Sequence, residues 1–371
     1  MWFCRFFTTL SVTLLSSCSV FGFSSAEIQK ASNQETASIE IVRLPQFNTN
    51  HHSDNGFINP WPSTYEHPSF FKRTSWMLSR IFSSPDVGDP APYQKIDETQ
   101  LTTPKTGYRI TWLGHASMLI QTQSINILAD PVFSERVSPV TFAGPKRRIP
   151  LPIDPIQLPK ISLVVISHNH YDHLDKSSLL FLKERDNPLF IVPFKNKKLL
   201  LSFGITRVIE LDWYEQINQK NITITCTPAR HFSARSLTDR DETLWASYVI
   251  DVNDLKSYRF YFGGDTAYSP HFSQIGHRFT NIDVAMLPIG AYNPRWLMQK
   301  VHVDPEQSVQ AFIDLKAKNF IGMHWGTYEL ADEPLQEPPN RAQKSATEHN
   351  INSAHFFILP VGGQINIILD Q

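Results

Sequence analysis

Cysteine is nearly missing from the body of this sequence: of Cys4, Cys18 and Cys226, two fall in the first twenty residues. One remaining thiol excludes a disulfide framework, and Cys226 alone reads as a small buried residue rather than a nucleophile. Net charge is also missing, at −1 over 371 residues. No basic field is available to hold a nucleic acid, so that class of partner is excluded. The one long apolar stretch, at the N-terminus, falls short of the roughly 20 residues that a membrane-spanning helix needs. No internal repeat is visible. Apolar side chains, by contrast, are abundant: 41% of residues are hydrophobic against 19% charged. A chain of this length buries a substantial core as one large domain or two small ones.

The first 26 residues, MWFCRFFTTLSVTLLSSCSVFGFSSA, place one positive charge (Arg5) before an apolar stretch and then small residues. This is the layout of an export signal. Leu15-Ser16-Ser17-Cys18 has the form of a bacterial lipobox, which would anchor the protein through a lipid on Cys18, while Ser24-Ser25-Ala26 offers an ordinary cleavage site. The expectation is an exported protein of the cell envelope, either anchored or secreted. Residues 27–54 then read as a polar, proline-punctuated linker, and 55–371 as the folded domain.

Within 59–85, Phe70, Phe71, Trp76, Met77, Leu78, Ile81 and Phe82 alternate with Lys72, Arg73 and Arg80. This pattern suits a helix that packs back on the domain as a cover, since amphipathic helices usually face a core. It also suits a helix laid on a bilayer surface. From 107 the pattern becomes strand-like. YRITWL, SMLIQT and SINILAD are short apolar runs joined by brief connections, as in antiparallel pairing, and ISLVVIS (161–167) reads as a buried strand. Further strands are predicted at 189–192, 206–211, 222–227, 244–251, 258–262, 283–288, 319–323 and 356–359. Helices are predicted at 175–186, 195–202, 270–279, 304–318 and 337–349, with Asp175 as one N-cap and Asp304-Pro305 as a cap followed by an N1 proline. Strands interleaved with helices imply a sheet-on-sheet core covered by helices.

The chemistry concentrates where 161–167 ends: Ser167-His168-Asn169-His170-Tyr171-Asp172-His173. Imidazole and carboxylate are both good zinc ligands. The spacing HxHxDH supplies two pairs, His168 with His170 and Asp172 with His173, which points to two ions rather than one. Further ligands stand at other strand ends. His231 follows ITITCTP. Asp265 follows Gly263-Gly264, glycines that permit close backbone approach and free its carboxylate to bridge. His324 follows NFIG. Rigid strand, then loop, then ligand is the same device each time. A histidine at one strand end is ordinarily a core or surface residue, but four such pieces together point to a metal.

HxHxDH, then His, Asp and His in this order, resembles the metallo-β-lactamase superfamily, which implies a four-layered αββα sandwich. Carried over, the resemblance places His168, His170 and His231 on one zinc, Asp172, His173 and His324 on another, and Asp265 on both. A narrower likeness lies in Trp112-Leu113-Gly114-His115-Ala116-Ser117, Asp130-Pro131-Val132-Phe133, Gly144-Pro145-Lys146-Arg147-Arg148, Ile289-Gly290-Ala291-Tyr292, Pro294-Arg295-Trp296, His302-Val303-Asp304-Pro305-Glu306 and His324-Trp325-Gly326-Thr327. With Asn59-Pro60-Trp61-Pro62, these blocks resemble the N-acylphosphatidylethanolamine-hydrolysing phospholipase D family over about 55–371. That likeness implies a homodimer with a hydrophobic lipid channel.

Two Zn²⁺, two aspartates and one bridging hydroxide leave the site positive, which suits a phosphodiester. Two metals about 3.5–4 Å apart can hold the hydroxide and polarise a phosphoryl oxygen. The expected reaction releases an N-acylethanolamine and phosphatidic acid, with Asp172 orienting or deprotonating the nucleophile. His302 stabilises the phosphoryl oxygens or protonates the leaving group, or else is a helix-entry histidine bonded to nearby backbone. His115 reads as holding a turn. Tyr171 and Tyr292 are candidate lining residues, and Arg147 and Arg148 candidate headgroup contacts. The phospholipid and a membrane surface are the expected partners. Two competing readings are a dinuclear hydrolase of a lactone, β-lactam or other phosphodiester, and a lipid-binding surface lipoprotein with a structural metal. An open site argues against the latter, because structural zinc sites are closed and usually cysteine-rich.

Overall fold

A computed structural model describes residues 39–45, 49–62, 69–82 and 88–367. The stretch expected to be an export signal, with Cys18, and the first part of the expected linker lie outside them. In chain order the strands are β1 (Ile41–Arg43), β2 (His52–Ser53), β3 (Gly56–Phe57), β4 (Tyr108–Gly114), β5 (Ser117–Thr122), β6 (Asn126–Ala129), β7 (Leu163–Val165), β8 (Leu189–Pro193), β9 (Val208–Leu211), β10 (Glu215–Gln219), β11 (Ile222–Thr227), β12 (Ser247–Asn253), β13 (Ser257–Phe262), β14 (Val284–Pro288), β15 (Asn319–Met323), β16 (Phe356–Phe357) and β17 (Gln364–Ile367). The helices are α1 (Phe70–Phe82), α2 (Lys176–Asp186), α3 (Lys197–Ser202), α4 (His271–Arg278), α5 (Arg295–Met298), α6 (Pro305–Leu315) and α7 (Glu337–Glu348).

One sheet runs β1-β10-β11-β12-β13-β14-β15-β16 and the other β17-β4-β5-β6-β7-β8-β9, with β2 and β3 forming a separate hairpin. Alternation along each strand divides the side chains between two apolar layers. Ile110, Trp112, Met118, Ile120, Ile127, Ala129, Val165 and Ile191 belong to the same buried cluster as Ile224, Cys226, Tyr248, Ile250, Phe260 and Phe262 of the other sheet. The alternate residues Leu119, Leu128, Val164, Phe190 and Val192 cluster with Leu179 and Leu182 of α2 and Leu200 of α3. Strands β5, β8, β14 and β15 are buried at every position, as strands covered on both faces must be. This is the αββα sandwich.

Strand direction explains where a site can form. β13, β14, β15 and β16 are parallel, and β11 shares their direction because two antiparallel pairings separate it from β13. In the other sheet β6, β7, β8 and β9 are parallel, and β4 shares their direction through β5. The loops leaving β6 and β7, and those leaving β11, β13 and β15, carry Asp130, His168 to His173, His231, Asp265 and His324 respectively. The loop leaving β4 carries His115.

Two expectations change. The linker does not run free to residue 54: Ile41, Val42 and Arg43 pair with Ile217, Gln216 and Glu215 as an edge strand, and residues 49–62 strap the body. Asp175 is the N-cap of α2 by position, but its side chain makes no cap hydrogen bond. Its carboxylate instead accepts from the Ser134 hydroxyl at 2.7 Å and from Ser178 at 2.5 Å.

Candidate metal centre

The HxHxDH loop is gathered by its own backbone, with the Leu174 N–H donating to the His170 carbonyl at 2.8 Å. Two groups of ligand atoms result. His168 Nε2 lies 2.7 Å from His170 Nδ1, which lies 3.3 Å from His231 Nε2. His173 Nε2 lies 3.3 Å from His324 Nε2 and 3.4 Å from Asp172 Oδ2, and His324 Nε2 lies 3.7 Å from that same oxygen. Asp265 stands between the groups. Its Oδ2 is 3.2 Å from His173 Nε2, 3.7 Å from His231 Nε2 and 4.0 Å from His168 Nε2, while Oδ1 is 3.0 Å from His324 Nε2. Donor atoms on one tetrahedral ion with bonds of about 2.0–2.1 Å sit roughly 3.3 Å apart. The donor set fits divalent metal, and the structure brings all seven predicted ligands together.

The tautomers are set from outside the cluster. The His231 Nδ1–H donates to the Val301 carbonyl at 2.8 Å, leaving Nε2 free to ligate. His168 Nδ1 meets the Ser167 hydroxyl at 2.9 Å. Sequence reasoning assigned no role to Asp130, which is fully buried and accepts from His173 Nδ1 at 2.6 Å, from the Ser167 hydroxyl at 2.5 Å and from the Ser167 N–H at 2.7 Å. Such outer partners orient metal-binding imidazoles and raise their basicity. His115 does more than hold a turn: its Nε2 lies 2.9 Å from Asp172 Oδ2. The only signals for either residue were a buried strand end and an adjacent histidine or aspartate.

Close approach requires unusual backbone here. Gly264 has φ +55°, and a Cβ there would lie 2.5 Å from the Ser167 Cβ. His115, Asp130 and His324 also take positive φ, at 54°, 40° and 63°. Non-glycine residues adopt such angles at a cost and cluster at functional sites.

Charge is divided within the cluster. Burial pushes His170 down to about 4 and His231 and His302 down to about 3, and holds His168 well below its ordinary value. These rings are neutral, the form that binds metal. Burial opposes charge on His324 as well, but Asp265 and Asp172 hold that ring up to about 9. His173 is likewise raised against burial, by Asp265, Asp172 and Asp130. The two aspartates fall well below the usual carboxylate range despite burial, chiefly through His173. Protons thus collect on His173 and His324, the two imidazoles whose Nε2 faces both Asp172 and Asp265, where metal binding would displace them.

His302, three residues before α6, joins the cluster. Its Nδ1 is buried without a hydrogen-bond partner and lies 3.9 Å from Asp265 Oδ2. Its backbone N–H donates to the Met298 carbonyl at 2.8 Å. The Tyr171 hydroxyl donates to the Arg235 carbonyl at 3.1 Å, and the Arg235 guanidinium covers the ring at 3.9 Å. Tyr292 is buried and donates to Glu337 Oε1 at 2.6 Å, beneath Arg341. Arg147 is an internal strut, donating to the Val132 carbonyl at 2.6 Å and stacking on Tyr328. Arg148 pairs with Glu329.

Residues 125–325 match the family model described as the beta-lactamase superfamily domain. N-acyl-phosphatidylethanolamine-hydrolyzing phospholipase D 1 of Caenorhabditis elegans is 38% identical over 252 residues, 65% of this chain and 70% of that protein. The mitochondrial N-acyl-phosphatidylethanolamine-hydrolyzing phospholipase D of Saccharomyces cerevisiae is 36% identical over 242 residues, 64% of this chain and 51% of that protein. Among solved structures, a metallo hydrolase from Ignicoccus hospitalis shares the fold, with TM-score 0.54 and 21% identity across 71% of this chain and all of that one. Fold and site together define a metal-dependent hydrolase of the metallo-β-lactamase superfamily. Within that superfamily, the chain belongs to the N-acylphosphatidylethanolamine-hydrolysing phospholipase D family.

Proposed function

We propose that this protein hydrolyses N-acylphosphatidylethanolamine at the phosphodiester bond on the ethanolamine side, holding two Zn²⁺ per chain. The observation that carries the reading is Asp265, whose two oxygens reach ligands of both groups, in a chain of this family. Two divalent ions bound there would supply a hydroxide at neutral pH and a Lewis acid for a phosphoryl oxygen.

The residues divide the remaining work. Asp172, fixed through His115 at 2.9 Å, orients the attacking water and takes its proton. Attack on phosphorus breaks the bond to the ethanolamine oxygen, leaving phosphatidic acid and, after protonation, an N-acylethanolamine. His302 is held neutral by burial, so it stabilises the phosphoryl oxygens by hydrogen bonding more readily than it donates a proton. Its unpartnered Nδ1 is available for that role.

The substrate is a bilayer lipid, so the protein works at a membrane surface. Among the described residues no helix is long and apolar enough to cross a membrane. Exposed Phe71 and Leu78 on α1 support peripheral contact, and the layout of residues 1–26 supports export. The test is zinc-loaded protein with N-acylphosphatidylethanolamine in H₂¹⁸O. Release of N-acylethanolamine with one ¹⁸O in the phosphatidic acid supports the reading. No release, or label in the alcohol, rejects it.

A further inference from the structure

We propose that His51, His52 and Asp212 form an additional metal site, outside the catalytic cluster, where a borderline divalent ion such as Zn²⁺ staples the N-terminal strap to the body. His51 Nε2 lies 2.7 Å from Asp212 Oδ1, and His52 Nε2 lies 2.7 Å from Asp212 Oδ2. The three ligand atoms fall within 4.8 Å of one another. His51 and Asp212 are buried, while the His52 side chain is half exposed, leaving one side open for water to complete the coordination.

The hydrogen bonding of His51 favours a cation. His51 Nδ1 lies 2.7 Å from the Thr49 carbonyl, and a carbonyl only accepts, so that nitrogen carries the proton. A neutral ring then presents the Nε2 lone pair to a carboxylate oxygen, acceptor against acceptor. The contact needs a positive species: a second proton, or a metal. Backbone carbonyls orient metal-ligating histidines in this way. The ring is also locked in place, stacked on Trp213 with centroids 4.2 Å apart. Arg43 Nη2 approaches Asp212 Oδ2 at 3.5 Å but lies closer to Glu215 Oε1, at 2.5 Å. The guanidinium is thus held mainly by Glu215, and Asp212, which also accepts the Trp213 N–H at 2.8 Å, keeps charge that Arg43 matches only in part.

The location gives the site a task. Asp212 directly follows β9, whereas His51 and His52 belong to the strap. Beyond the histidines the strap makes backbone bonds to the body (Phe57 N–H to the Asp241 carbonyl, 2.8 Å), and Asn59 Nδ2 donates to the carbonyl of His231 at 2.8 Å. Trp61 stacks on Trp213 at 5.8 Å and contacts His271 at 5.3 Å. An ion at the near end of the strap therefore secures a segment whose far end holds the backbone of a catalytic ligand.

The test uses the full chain, stripped with chelator and re-equilibrated with Zn²⁺ alone. Bound zinc is counted by elemental analysis, and its positions are found by anomalous diffraction at the zinc edge. One ion more than the catalytic cluster holds, with an anomalous peak between His51 and Asp212, is expected for the native chain. His52→Ala, at an exposed side chain that does not threaten folding, is expected to lose one ion and that peak while keeping the peaks at Asp265. His170→Asn is expected to disturb the Asp265 peaks and keep the one at Asp212. Absence of density at Asp212, or the same zinc count in His52→Ala as in the native chain, overturns the site and leaves hydrogen bonds alone between the strap and Asp212.

Discussion

Asp130 contributes no atom to either ligand group, yet it fixes the ring that both aspartates need. One oxygen receives His173 Nδ1 and the Ser167 hydroxyl, and the other receives the Ser167 N–H. Asp130→Asn offers an amide N–H where the His173 N–H points, so the imidazole must turn or change tautomer. The expected outcome is a roughly 10–100-fold loss of zinc affinity, checked by competition with a chromophoric chelator, with the circular-dichroism spectrum retained. His302 separates differently. Its Nδ1 faces Asp265 Oδ2 at 3.9 Å, but both groups of ligand atoms are complete without it, so His302→Gln is expected to keep the full zinc content. Hydrolysis is expected to fall roughly 10²–10³-fold, the magnitude for one lost transition-state donor, with most of the loss in kcat. Parallel measurement of zinc and kcat checks it. A proportional loss of zinc would make His302 a ligand instead. At this scale the clustered histidines and aspartates were legible because four strand ends carry dense, metal-compatible residue types. Asp130 was not, since Asp-Pro at a strand end reads as a turn and nothing in the local pattern announces its contact with His173, 43 positions away.

Helix α6 shows an element whose start is written in its sequence, although it ends at Leu315, with Lys316 left-handed, three residues short of the expected 318. Asp304 accepts from the Gln307 N–H at 2.9 Å, and Gln307 Oε1 accepts in return from the Asp304 N–H at 3.3 Å, a reciprocal capping box with proline at N1. Asp304→Ala is expected to cost about 1 kcal/mol of stability, read as a lower urea midpoint at unchanged slope. Strands with buried faces were equally plain, because period-2 alternation or an unbroken apolar run reports burial directly. β10, with sequence EQINQ, was not. It lies between β1 and β11 with one buried position among five, so its pairing comes from the hairpin with β11 rather than from burial. β1 was absorbed into the linker for a related reason. Three residues with one apolar face carry too little pattern, and only the partner strand makes them a strand.

At the scale of the whole molecule, the proposed lipid substrate raises the question of which face would meet a bilayer. The sequence left α1 divided between a cover and a membrane contact, and the structure shows a helix with one docked side and one exposed side. On one side α1 docks: Trp76 Nε1 donates to Asp332 Oδ2 at 2.5 Å, and Lys72 lies over the Trp296 ring at 4.3 Å. On the other, Phe71 is 82% exposed and Leu78 54% exposed. Trp296 belongs to α5, and the last turn of α5 passes its hydrogen bonds to His302, so the exposed pair lies on a helix seated beside the loop that carries His302. A membrane that received Phe71 and Leu78 would therefore be brought to the same side as the metal centre, which a lipid substrate requires. Fully burying such a side chain is worth about 1.5–3 kcal/mol, and Leu78 is already half covered. The double change Phe71→Ser with Leu78→Ser is thus expected to weaken partition onto phospholipid vesicles about 10–100-fold in a sedimentation assay. Turnover of a short-chain, monomeric substrate should stay within about twofold, since neither side chain touches the ligands. Equal partition of the native and doubly substituted chains would move the membrane contact to another face. A parallel loss of turnover on the monomeric substrate would make α1 a structural cover alone.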